Sequence, residues 1–197
     1  FGIVNSLTFH QYDDMLVLAA GGCVTAVDDQ SKGCTDNKGQ VTLWDVTDAS
    51  RPKKLGDLGK EHKGLVKAIT FSHDGTILAS GSFDTTIILW DLSDLSNPFM
   101  VGKPLQGHTS FVNSIAFSGD DKTLVSAGDD HAIIIWDVSR LPNVARIGSP
   151  ITEHTAPVNS IAYSPSGRLF ASASDDNTVL LWDWDSTSFT LQNPKKL

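Results

Sequence analysis

Short apolar runs divided by turn residues fill most of the chain. In one stretch they read LVKAITF (65–71), TILASGS (76–82) and TTIILWD (85–91), with HDG (73–75) and FDT (83–85) between them. Runs this short, rich in Val, Ile, Thr, Phe and Trp and bounded by turn formers, predict β-strands. No helical period of useful length interrupts them. Within a run the apolar residues stand side by side, as in Ile87, Ile88, Leu89 and Trp90, or Ile133, Ile134 and Ile135. A strand open to water on one face alternates polar and apolar residues, so these strands are expected to be covered on both faces. A fourth run follows each group of three: PKKLGDL (52–58), PFMVGKPLQ (98–106) and ARIGSPI (145–151). Its Pro, Gly and Lys content suits an edge strand protected against further pairing.

The pattern recurs with a fixed period. His62, His108 and His154 are 46 residues apart. Each is followed 18 residues later by a serine (Ser80, Ser126, Ser172), the serine 4 later by an aspartate (Asp84, Asp130, Asp176) and the aspartate 6 later by a tryptophan (Trp90, Trp136, Trp182). Residues 1–58 are an imperfect first copy. FGIVNSLTF aligns with SFVNSIAF and APVNSIAY, and QVTLWD with AIIIWD, while residues 21–39 hold an insertion rich in Gly, Asp, Asn and Ser where the other copies have a short turn. The predicted units are 1–58, 59–104, 105–150 and 151–197. The tail STSFTLQNPKKL is expected to supply the last unit's fourth strand.

Four antiparallel strands per 46 residues, repeated in tandem with both faces buried, is the pattern of a blade stacked between neighbours. On Trp44-Asp45, Trp90-Asp91, Trp136-Asp137, Trp182-Asp183, Gly107-His108 and the fixed offsets, the chain resembles the WD-repeat β-propeller family. The resemblance implies an all-β fold of four blades in a propeller of about seven, so further blades of the same propeller are expected outside this sequence. The chain begins with Phe, inside a repeat, which also leads us to expect a piece of a longer protein. It departs from the family pattern where Glu61 and Glu153 precede their histidines and where the first copy lacks the His, the Ser and the Asp. The segments WDVTDASRPKKLG, WDLSDLSNPFMVGKPLQGH and WDVSRLPNVARIG further resemble the C-terminal propellers of large multidomain signalling NTPases.

Ser, His and Asp together invite comparison with a hydrolase, because a nucleophilic serine needs a base and an orienting carboxylate. Here the trio occurs three times, always with a tryptophan, whereas an enzyme needs one site with a pocket and an oxyanion hole. The resemblance implies a buried relay in which Trp bonds Ser, Ser bonds His and His bonds Asp. We therefore expect a structural network at His62, Ser80, Asp84, Trp90, His108, Ser126, Asp130, Trp136, His154, Ser172, Asp176 and Trp182, and no catalytic residue. A propeller enzyme would need titratable residues outside the repeat at the channel mouth.

The resemblance also places partner contacts three and five residues after each histidine and just before each turn aspartate. These are Leu65, Lys67 and Phe83, then Phe111, Asn113 and Asp129, then Pro157, Asn159 and Asp175, with Ile3 and Asn5 joining by alignment. Leu65, Phe83 and Phe111 would form an apolar cluster with a polar surround. The expected function is a non-catalytic platform or sensor for proteins or peptides. A structural subunit of a stable complex is the alternative.

A formal net charge of −8 with 15 scattered basic residues argues against nucleic acid or an anionic membrane as partner. No apolar run is long enough to span a bilayer, and a cytoplasmic protein is expected. No metal or other cofactor is expected: Asp28, Asp29, Asp36 and Asn37 fit no EF-hand spacing. Cys23 and Cys34 bracket the insertion near the ends of its flanking strands. They can meet across the loop's base as a disulfide, or stand as free thiols in a reducing compartment. Cysteine-bracketed insertions also occur in propellers that this chain resembles.

Overall fold

The computed structural model describes residues 3–23, 38–59, 61–185 and 190–197. Among these residues every regular element is a strand. The first sheet is β1 (Val4–Tyr12), β2 (Met15–Cys23), β3 (Gly39–Asp45) and β4 (Lys53–Leu58), paired antiparallel in that order. The second is β5 (Val66–Phe71), β6 (Ile77–Ser82), β7 (Ile87–Asp91) and β8 (Phe99–Met100), and the third β9 (Val112–Phe117), β10 (Thr123–Gly128), β11 (Ile133–Asp137) and β12 (Ala145–Ile151). The fourth holds β13 (Val158–Tyr163), β14 (Leu169–Ser174) and β15 (Val179–Asp185), with β16 (Thr190–Leu191) and β17 (Lys195–Lys196) both paired to β15. Each sheet is an up-and-down meander.

The consecutive apolar residues are explained by what lies on either side of each sheet. Ile88 and Trp90 of β7 pack with Val17, Val41 and Leu43 of the first sheet. Ile87 and Leu89 of the same strand pack with Val112, Ile115 and Ile134 of the third. On β11 the alternation repeats, Ile134 and Trp136 facing back and Ile133 and Ile135 forward to Phe170 and Trp182. The core is thus three layers, one between each pair of neighbouring sheets. A strand whose odd and even side chains enter different layers has no face left for water.

Four local features differ from the expectations. Gly21, Gly22 and Cys23 belong to β2, pairing with Val41, Gln40 and Gly39, so the insertion starts later than residue 21 and ends before 39. The strand extends because the Gly21 Cα faces Val66 and Ile69 of the next sheet, which lie 2.8 Å from where a β-carbon would stand. The second outer strand shrinks to Phe99–Met100, with the Val101 N–H still bonded to Leu89 O (2.8 Å); Gly102 then turns left-handed (φ 67°), and a bridge pairs Leu105 with Ile87. Leu105 and Ile151 each bond back to the preceding sheet, one residue past the expected unit boundaries. In the tail, Pro194 separates β16 from β17, so two short pieces take the place of one edge strand.

Candidate functional site: buried relays beneath an exposed rim

In the second, third and fourth meanders the loop before the first strand and the turn between the second and third emerge at one edge. The histidines sit in those loops and the aspartates in those turns. In the third sheet the Trp136 indole N–H donates to Ser126 Oγ (2.9 Å), Ser126 Oγ lies 2.8 Å from His108 Nε2, and His108 Nδ1 lies 2.9 Å from Asp130 Oδ2. The second sheet repeats this at Trp90, Ser80, His62 and Asp84 with distances of 2.9, 2.8 and 2.9 Å. The fourth does so at Trp182, Ser172, His154 and Asp176 with 2.9, 2.7 and 2.7 Å. The first sheet carries Ala20 at the serine position.

Proton accounting fixes the direction of each relay. The carboxylate accepts at Nδ1, so the imidazole donates there and accepts at Nε2, and the serine hydroxyl donates to it while accepting from the indole. The aspartates are held as carboxylates. Burial alone would raise Asp84, but the hydrogen bond from His62, the attraction of that ring and the bonds from Thr86 outweigh it and hold the group well below the ordinary carboxylate range. Asp130 is lowered in the same manner, burial being outweighed by His108 and by the Thr109 and Ala132 N–H groups. For Asp176 the Thr178 hydroxyl makes the largest contribution, and the group again lies well below its ordinary value.

The three serines are fully buried beneath their histidines and tryptophans. Their hydroxyls are engaged on both sides, by the indole N–H and by the imidazole. What the relay does is tie the loop to the third strand. Lys63, Thr109 and Thr155, the residues after the histidines, donate their N–H groups to the same aspartates (2.7, 2.8 and 3.1 Å).

Above the relays lies a rim built from the remaining expected residues. Leu65, Phe111 and Pro157 each accept, at the carbonyl, the N–H of Phe83, Asp129 and Asp175 (2.9, 2.9 and 3.0 Å). The residue three after the histidine is thereby clamped beside the one before the turn aspartate. In the first sheet the matching bond runs from Cys23 N–H to Ile3 O (3.0 Å), so Cys23 occupies the rim position of Phe83, a place that sequence comparison had assigned to the insertion. Asn113 Nδ2 donates to Asp129 Oδ1 (2.5 Å) and reaches Val158 O of the next sheet (3.2 Å), and Asn159 Nδ2 donates to Asp175 Oδ1 (2.5 Å). Phe111, 39% exposed, stacks on Phe83 with ring centroids 4.0 Å apart and 9° from parallel. This pair straddles two sheets, Phe83 following β6 and Phe111 preceding β9. Lys67 is half-buried on β5, and Ile3 and Asn5 are exposed at the end of the array.

Cys34, Asp28, Asp29, Asp36 and Asn37 lie outside the described residues; Cys23 is buried at the end of β2. Among the described residues no group of three or more His, Cys, Asp or Glu is placed to hold a metal ion. A set of contacts that sequence comparison did not raise lies at the opposite edge, where Asp121 accepts from the His73 and Asp74 N–H groups (2.9 and 3.1 Å) and pairs with the His73 ring (3.0 Å). Those bonds brace the second sheet against the third.

Four-stranded meanders stacked face to face, three of them locked by the same relay, define a β-propeller of tandem blades. The family model described as WD domain, G-beta repeat matches residues 53–91, 100–137 and 146–183. The chain belongs to the WD-repeat family, whose propellers are of the protein-interaction type. A search of curated proteins returned no match to it.

Proposed function

We propose that the chain is a non-catalytic platform that binds a protein or peptide segment across the rim of the second, third and fourth blades. The Phe83–Phe111 stack carries this reading. Two aromatic rings held partly in water at a junction between rigid sheets offer the apolar centre of a binding patch. Asp129 adjoins it through its backbone bond to Phe111, and Asp175 stands at the matching position of the next blade; each uses Oδ1 on an asparagine while Oδ2 has no hydrogen-bond partner among the described residues. A matching ligand presents an apolar anchor beside basic groups, in keeping with the net charge of −8. Lys67, Leu65, Asn113, Pro157 and Asn159 shape the surround. Attachment of such a platform to a signalling NTPase belongs to the same proposal and rests on the interblade segments alone.

The test is selection of random displayed peptides on the wild-type chain, followed by rebinding to the Phe83→Ala/Phe111→Ala double variant. Enriched peptides should carry an apolar residue next to Lys or Arg and lose at least about tenfold in affinity, the scale of one interface hot spot, with the thermal midpoint little changed. Equal binding to both proteins would remove the patch from consideration.

A further inference from the structure

The outer strand of the second blade breaks where that of the first runs on. β4 pairs with β3 along Lys53–Leu58, whereas after β8 the chain turns left-handed at Gly102 and meets its sheet again at Leu105, whose N–H and carbonyl bond Ile87 (2.8 and 3.2 Å). Pro104 has no N–H, and the N–H groups of Gly102 and Lys103 have no acceptor among the described residues. A groove of about 810 Å³ lies at this break, between the outer strands of the second and third blades. Gly102 lets its two walls meet, since its β-carbon position lies 3.0 Å from the Pro142 carbonyl oxygen.

The floor of the groove is apolar. Trp136 belongs to the core layer between the two blades, and Leu105 and Val144 are the half-buried margin of that layer. The walls carry positive charge. Lys103 comes from the second blade and Arg146 from β12 of the third, both are exposed, and among the described residues no Asp or Glu lines the groove. Neither cation has a carboxylate partner among the described residues. Arg146 Nε donates to Gly148 O on its own strand (3.1 Å), which holds one edge of the guanidinium and leaves both Nη groups free. In a chain with 23 acidic and 15 basic residues, a groove with two cations and no anion runs against the overall charge of −8.

We propose that this groove docks an extended acidic segment of another protein, with carboxylates on Lys103 and Arg146 and an apolar side chain between them over Trp136, Leu105 and Val144. The free Nη pair of Arg146 matches a carboxylate, which it takes through two parallel hydrogen bonds. The unpaired Gly102 and Lys103 N–H groups call for carbonyl acceptors, and an extended backbone lying along a broken sheet edge supplies them. Both blades that form the groove have a neighbour on either side within the chain, so its walls are complete in this sequence. The site is independent of the rim. Asp129 and Asp175 there favour a basic ligand, so the two surfaces select segments of opposite charge.

Selection of random displayed peptides on the chain carrying Phe83→Ala/Phe111→Ala, which lacks the rim stack, tests the groove alone. Enriched peptides should carry two or more Asp or Glu around an apolar residue. Their affinity should fall at least about tenfold when Lys103→Glu/Arg146→Glu is added, the scale of one interface hot spot. It should stay unchanged when Arg51→Glu/Lys53→Glu is added instead, which reverses the same two charges at exposed positions of the first blade. A benzophenone at the apolar position of the tightest peptide should crosslink to Trp136 or within residues 102–106 or 142–148. Near-ultraviolet circular dichroism of the buried tryptophans verifies folding, and Lys103→Gln/Arg146→Gln replaces the reversal if that signal is lost. A selection that enriches no acidic peptide overturns the proposal. So does an equal loss on the two charge-reversed chains, which would mean attraction to any basic surface, and so does a crosslink outside those segments.

Discussion

Trp136 Nε1 and Ser126 Oγ are 2.9 Å apart in the interior of the third blade, and that bond anchors a chain of donors running to the loop at the rim. Removing the far end leaves His108 Nδ1 and the Thr109 N–H without their acceptor. Asp130→Ala should therefore destabilise the protein by about 1–3 kcal/mol, the range for orphaning a buried polar group. Ser126→Ala should cost at least as much, as it strands both the indole N–H and His108 Nε2. Urea unfolding followed by tryptophan fluorescence checks both, and an unchanged midpoint for Asp130→Ala would show that the relay does not hold the blade.

Acid should act through the same aspartates. Asp84, Asp130 and Asp176 titrate below the ordinary value of 3.8 in the folded chain. A carboxyl with a depressed folded value contributes stability that is present above the unfolded value and lost as pH falls through the folded one. Stability should thus decline from about pH 4 downward, beyond the range where unperturbed carboxylates have finished titrating. In Asp130→Ala that acid-dependent loss should be smaller. Denaturation midpoints measured from pH 5 to pH 2 give the comparison, and parallel curves for the two proteins would contradict it.

How much of this was legible in the sequence depends on whether a contact lies within a repeat or between repeats. His62, Ser80, Asp84 and Trp90 are legible because the same four residue types return at fixed offsets twice more, and one blade's hydrogen bonds join them. The strands are legible because Ile87 to Trp90 leaves no solvent face. Phe83 and Phe111 are expected at the rim, yet their stacking is not in the alignment: Phe83 aligns with Asp129 and Phe111 with Leu65, and only the packing of one blade on the next sets them together. Asp121 and His73 are hidden for the same reason, being 48 residues apart rather than 46. In the sequence the end of β2 reads as part of the insertion because Gly21 and Gly22 look like loop formers, whereas Gly21 is small because Val66 and Ile69 press against it.

The turn between the second and third strands stores strain in one blade that another blade avoids. Thr85, His131 and Asn177 follow the relay aspartates and share a left-handed backbone, with φ of 71°, 63° and 65°. That region is unfavourable for a β-branched residue, because its Cβ substituents crowd the backbone, and is tolerated by asparagine. Nothing else in the turn requires the threonine: the carboxylate of Asp84 is bonded by Thr86, not Thr85. Thr85→Asn should stabilise the second blade by roughly 1 kcal/mol, and Asn177→Thr should destabilise the fourth by a similar amount, on the scale of one residue in the left-handed region. Thermal denaturation of the two variants beside wild type decides it. Shifts of the same sign in both would mean that the turn's backbone is not what these residues control.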